Sequence, residues 1–174
     1  MSNFRILFFQ LRNKNFVVSV LLFFLIYLVF YFIWTPLYYF FLEKYDIFFA
    51  STPNETIMKQ SFFEQVILTV ILAPLIETLI FQKWTYKVLS LIKFLKYHKI
   101  LIMIVGAIIF GAIHFYSLFY IVYNMFVGFL FMFAYIVKLH RPEKSYWIVV
   151  SLHGLTNLFA ILIDPVEKVV LGTF

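Results

Sequence analysis

Glu77 lies inside an apolar stretch that begins near Phe62, within the run Ala-Pro-Leu-Ile-Glu-Thr-Leu-Ile-Phe-Gln at 73–82. No other acidic residue sits as deep in a hydrophobic segment. A carboxylate in hydrocarbon is costly, so such a group usually faces a bundle interior and has a function there. Two histidines, His114 and His153, fall in later apolar stretches, and Asn157 follows His153 by one helical turn. A carboxylate in a low-dielectric site can serve as general base on water near neutral pH. Two imidazoles can polarise a scissile carbonyl or protonate a leaving amine. With Glu77, His114 and His153 as ligands, they can instead hold a divalent metal such as zinc. An asparagine amide can donate a hydrogen bond to a developing oxyanion. Together these types suit hydrolysis of an amide. They also suit a Glu/His proton relay in a small transporter, so residue chemistry alone leaves both open. A single histidine in a helix is more often a packing residue. One glutamate and two histidines on three separate apolar segments are harder to assign to packing.

These residues need a scaffold, and composition says which kind. Of 174 residues 64% are hydrophobic and only 13% charged, far from a soluble globular chain. This is an integral membrane protein of all-α class: a polytopic helical bundle of about five transmembrane helices with interfacial amphipathic helices. Cysteine is absent, which excludes disulfides and thiolate ligands. The net charge of +6 is better explained by cations flanking spans than by nucleic acid, which is not expected as a partner.

Residues 1–15 carry Arg5, Arg12 and Lys14 among apolar residues and suit a short interfacial helix. Residues 16–61 comprise a first span to about Leu42, with Trp34, Tyr38 and Tyr39 as an aromatic belt and Pro36 as a bend, then a polar loop with Pro53-Asn54 as a turn. The apolar run is too long for a signal core and shows no small-x-small cleavage site, so an uncleaved span is expected. Residues 62–164 form the functional core, and 165–174 a short tail. Within the core, span two runs over 62–81, and Pro74 should bend it just above Glu77. Lysines at 83, 87, 93, 96 and 99 alternate with apolar residues, as in a surface amphipathic helix. Spans three, four and five follow at about 100–115, 118–137 and 146–163.

Each core span presents one small-or-polar stripe: Thr69, Ala73 and Glu77; Ala107, Gly111 and His114; Tyr120, Asn124, Gly128 and Tyr135; His153, Asn157, Ala160 and Asp164. All four stripes should converge on one interior, with Asn124 supporting it from behind. Counting at 1.5 Å per residue from the nearest basic boundary puts Glu77, His153 and His114 roughly 9, 14 and 22 Å deep, a spread that a shared site must close. Five spans put the N-terminus, the 82–99 loop and the 138–145 loop on one side, and these hold 11 of the 14 basic residues. The positive-inside rule then gives an N-terminus in the cytoplasm and a C-terminus outside, and the plasma membrane is the expected location.

The motifs resemble a family. Glu77-Thr78 with Phe81-Gln82, then Phe110-x-x-x-His114, then His153-x-x-x-Asn157, are similar to the three motifs of the CPBP family of intramembrane proteases. That family includes CAAX-processing endopeptidases and bacterial Abi proteins. Its first motif is usually Glu-Glu-x-x-x-Arg preceded by Ala-Pro, as at Ala73-Pro74. The resemblance spans roughly 62–162 and implies a membrane-embedded endopeptidase acting on a peptide or membrane-protein substrate amid lipid. It implies Glu77 as the base that activates water, with His114 joining it in binding the water or a metal. It implies His153 and Asn157 as stabilisers of the oxyanion, and Phe110, Thr78 and Gln82 as supporting residues. Thr78 and Gln82 depart from the family's Glu and Arg. Loss of both charges keeps the site electroneutral, with Gln82 expected to donate hydrogen bonds and Thr78 to bond a backbone carbonyl. The alternative is a catalytically inactive member of the fold with an immunity or scaffold role.

Overall fold

The computed structural model describes residues 3–45 and 60–171, and among these the chain is helical with no strand. Helix α1 spans Asn3–Asn13 and α2 spans Phe16–Tyr45. Asn15 caps α2, its Oδ1 accepting from the Val18 N–H at 2.8 Å. A long helix, α3, covers Phe62–Leu89. The short α4 covers Lys93–Tyr97, followed by α5 at Lys99–Ile113, α6 at Leu118–Val137 and α7 at Pro142–Leu171. Four of these are long and apolar enough to cross a membrane: Phe16–Leu37, Phe62–Leu89, Leu118–Val137 and Pro142–Ile163. The expected third span is present as α5, but its 15 residues reach only about 22 Å, short of the ~30 Å hydrocarbon core. The expected turn at Pro53-Asn54 and the side chains of Tyr38, Tyr39 and Asp164 lie outside the described residues.

Helix α3 begins where Ser61 and Glu64 form a capping box. The Glu64 carboxylate accepts from the Ser61 N–H at 2.8 Å, and Ser61 Oγ accepts from the Glu64 N–H at 3.3 Å. The helix then runs on through Lys83 and Lys87 to Leu89, so the expected amphipathic helix over 83–99 is not one element. Its first part continues the span, a turn at 90–92 follows, and α4 holds only five residues. Lysine stems bury along apolar surface while their heads reach water, so a snorkelling span end and a surface helix share one sequence pattern.

Around Pro74, where a bend is expected, α3 carries two wide π-helical stretches, Val66–Leu72 and Thr78–Trp84, on either side of an α-helical turn at Ala73–Glu77. The Ala73 N–H reaches back five residues to the Leu68 carbonyl. Pro74 has no N–H for the Thr69 carbonyl in that register, nor for Val70 in the α register. Both freed oxygens face α7. The Asn157 amide donates to Thr69 O at 2.7 Å. A Cβ on Gly154 would stand 2.7 Å from Val70 O, so only glycine lets the two backbones meet there.

Helix α6 is the centre of the bundle, with Phe131, Met132 and Ala134 fully buried. Helix α5 packs along it, and α2 and α7 close its other sides. Lipid offers no hydrophobic advantage for helix association, so close packing must hold the bundle. Gly128 supplies it, since a Cβ there would meet Phe110 Cβ at 2.7 Å. Aromatic packing joins α2 to the rest: Phe23 lies edge-on to Phe133, and Tyr31 to Phe159. The Tyr123 hydroxyl donates to that of Tyr27 at 2.9 Å.

Candidate active site

Glu77 occupies the last position of the α-helical turn in α3, directly before the second π stretch. Across from it, His153 is 4% exposed on α7. Glu77 Oε2 stands 3.8 Å from His153 Nε2, too far for a direct hydrogen bond and close enough for one bound molecule to touch both. Oε2 and His153 Nδ1 are each buried without a hydrogen-bond partner among the described residues. The Glu77 side chain as a whole keeps 27% of its surface open, which leaves a way in.

His114 lies one residue beyond α5 rather than within it, since that helix ends at Ile113. Its Nδ1 bonds the Phe110 carbonyl at 2.8 Å and so caps one of the orphan carbonyls of the helix end. A carbonyl only accepts, so Nδ1 carries the proton and Nε2 keeps its lone pair in the neutral ring. Phe110 is 1% exposed and lies beside both imidazoles, its ring centroid 4.7 Å from that of His114 and 6.0 Å from that of His153. Both histidines therefore border one phenyl ring. The helix continues past Lys83 to Leu89, so Glu77 lies about 18 Å along it from that end, against the roughly 22 Å counted for His114 from Lys99.

Asn157 is half-buried on α7 and committed through one N–H to Thr69 O. The stripe does not go on to Ala160, which is exposed; Val149, Leu152 and Thr156 are the buried neighbours of His153 instead. Asn124 is buried, and its amide donates to the Tyr120 carbonyl of its own helix at 2.8 Å, so it joins no second helix by that bond. Tyr120 in turn puts its ring 6.2 Å from His114. Thr78 and Gln82 are both fully buried on the second π stretch. The bonds expected of them do not form: Thr78 Oγ1 and both amide atoms of Gln82 have no partner among the described residues.

Two supporting contacts escaped sequence reasoning. Phe131 of α6 tilts against His153 with ring centroids 4.7 Å apart. The Tyr146 hydroxyl donates to the Leu75 carbonyl at 2.9 Å, tying the start of α7 to the helix turn that carries Glu77. No spacing rule marks either residue, although Tyr146 opens the expected fifth span.

A metal fits the set poorly. Glu77 and His153 supply two donors, but no group of three or more histidine or acidic residues able to share an ion occurs among the described residues.

A family model described as Rce1-like, type II CAAX prenyl endopeptidase, matches residues 59–159, more than half of the chain. Neither a curated protein nor a solved structure matches it.

Proposed function

The chain belongs to the Rce1-like family of type II CAAX prenyl endopeptidases, and from that premise we propose that Glu77, His114, His153 and Asn157 form the centre of a membrane-embedded endopeptidase. The observation that carries this is the facing pair of Glu77 Oε2 and His153 Nε2 across two membrane helices. A water held beside Glu77 gives one proton to the carboxylate and hydrogen-bonds the free Nε2 of His114 through the other. The water oxygen attacks the scissile carbonyl carbon, and the carbonyl π electrons move to oxygen. His153, with its proton on Nε2, and the second N–H of Asn157 donate to that oxyanion. Glu77 then passes its proton to the leaving amine as the C–N bond breaks. Phe110 and Phe131 keep both imidazoles in place and the surroundings dry.

Membrane peptides from cells carrying the wild-type or the Glu77→Gln protein test this by mass spectrometry. Peptides that appear only with wild type support it; identical peptide sets oppose it. The neutral Thr78 and Gln82 favour a second reading, a binding partner of the same fold without hydrolysis, which predicts identical sets.

Asn157→Ala is expected to lower the cleavage rate by about 10²–10³, the usual loss of an oxyanion donor. It also strands the Thr69 carbonyl, at about 1–3 kcal/mol of stability, read by thermal unfolding in detergent. A rate within twofold of wild type would remove Asn157 from the mechanism.

Because the donor set lacks a third ligand, full activity is expected to survive exhaustive chelation of purified protein. Activity lost to chelator and regained with zinc would require a metal after all.

We place the protein in the plasma membrane with its N-terminus in the cytoplasm. A reporter fused after Phe174 is then expected to behave as non-cytoplasmic, and clear cytoplasmic signal there would overturn this orientation.

A further inference from the structure

A second concave site lies away from Glu77, where α1 ends, α2 begins, α6 ends and α7 begins. It is a cavity of about 90 Å³ lined by Arg12, Lys14, Lys138, His140, Arg141 and Lys144. No acid lines it; Glu143, on the first turn of α7, is not among the lining residues. None of these cations is in an ion pair among the described residues, where the sole carboxylate–base contact is that of Glu77 with His153.

Cations that only fix topology can stay apart in water, and mutual repulsion favours that. Here they converge, and one is buried. Lys138 is 3% exposed, and its ammonium donates to the carbonyls of Arg12 at 3.3 Å and Lys14 at 2.8 Å. Those two bonds tie α1 to the end of α6 and bring Arg12 and Lys14 to the same wall. They leave the charge of Lys138 without a counter-ion. Burial, with the neighbouring Arg141 charge second, holds its pKa below the ordinary lysine range. An anion that completes the group would stabilise this buried cation and its neighbours.

The position selects the anion. Three helices long enough to span a membrane, α2, α6 and α7, begin or end at this cavity. Phe16 and Ile148 give it apolar lining, and Phe16, Val17 and Trp147 beside it are exposed. A ligand here has a charged head among the bases and apolar chains along helix faces.

We propose that this cavity binds the phosphodiester headgroup of an anionic membrane phospholipid. The site is independent of the peptidase reading and holds whether or not the chain hydrolyses peptides.

Native mass spectrometry of the full chain, released from detergent containing equal phosphatidylglycerol and phosphatidylcholine, tests it. Wild type is expected to retain phosphatidylglycerol in about tenfold preference. Arg141→Gln with Lys144→Gln should abolish the preference, and Arg12→Gln with Lys14→Gln should do the same from the opposite wall. All four side chains are exposed, so the fold should tolerate both pairs, with unchanged thermal unfolding as the check. Lys93→Gln with Lys96→Gln, which removes equal charge from α4, should keep the preference. Retention of the preference by both cavity variants would overturn the proposal. Equal loss in the α4 variant would also overturn it, since net charge would then suffice. Millimolar inorganic phosphate that displaces the lipid, with no headgroup preference remaining, would assign the cavity to a soluble anion instead.

Discussion

Glu77→Gln is expected to leave the protein in the membrane at wild-type level or above and to lower hydrolysis by about 10²–10⁴-fold. The two halves of this result have separate causes. Glutamine keeps the size and planar end of the side chain, so packing against α7 survives. It cannot take a proton from water, so the attacking nucleophile is not generated. Glu77 Oε2 is buried and accepts no hydrogen bond among the described residues, so a neutral amide relieves a desolvated charge rather than breaking a bond. Immunoblotting of membranes measures the first half, and release of product peptides measures the second. Wild-type cleavage by this variant would leave the base assignment untenable. Loss of the protein from the membrane would instead make Glu77 a structural residue.

Thr78→Glu and Gln82→Arg, made singly, are each expected to cost roughly 3–5 kcal/mol, and the double change to restore most of it. Both native residues are fully buried and neither is hydrogen-bonded among the described residues. A single charge at either place would have no partner. Thr78→Glu would also set a second carboxylate beside Glu77. Together, a carboxylate and a guanidinium four positions apart can meet as a charge-assisted pair, the arrangement usual in the first motif of the family that the chain resembles. The four proteins form a double-mutant cycle, read as melting temperature in detergent and as membrane level. A large favourable coupling supports a matched neutral substitution. If Gln82→Arg alone brings activity to a protein that had none, the neutral pair is a lesion and the inactive-partner reading stands.

Much of the site was legible because membrane burial makes polar residues conspicuous. Glu77, His114, His153 and Asn157 stand out against apolar segments, and the structure gathers Glu77 with His153, and both histidines around Phe110. What a one-dimensional pattern cannot carry is the state of the backbone. The 3.6-residue period assumed for α3 fails through its two π stretches, so the face shared by Thr69, Ala73 and Glu77 is not the one that ideal geometry gives. The contact that Thr69 makes is through its carbonyl, which no side-chain stripe represents. His114 was placed within a span because apolar residues surround it, whereas its ring bonds the Phe110 carbonyl and helps end the helix. The end of α3 was misplaced because lysines at 83 and 87 suit a snorkelling span as well as a surface helix. Gly154 fell between His153 and Asn157 and drew no notice, yet it sets how near α7 comes to α3.

The wide turns of α3 make chain length a coordinate of this site. A π stretch holds one more residue than an α-helix of similar rise, so each behaves as a single-residue insertion that never needed a loop. Tightening 66–72 into an α-helix with every residue kept would turn everything beyond it by about 100°. Glu77 would then swing away from His153 with no change in the identity of either. A relative with one residue fewer between the capping serine and the glutamate can keep the same facing pair with a plain α-helical segment in place of the π stretch. In this fold the winding of the backbone before the acid matters as much as the acid.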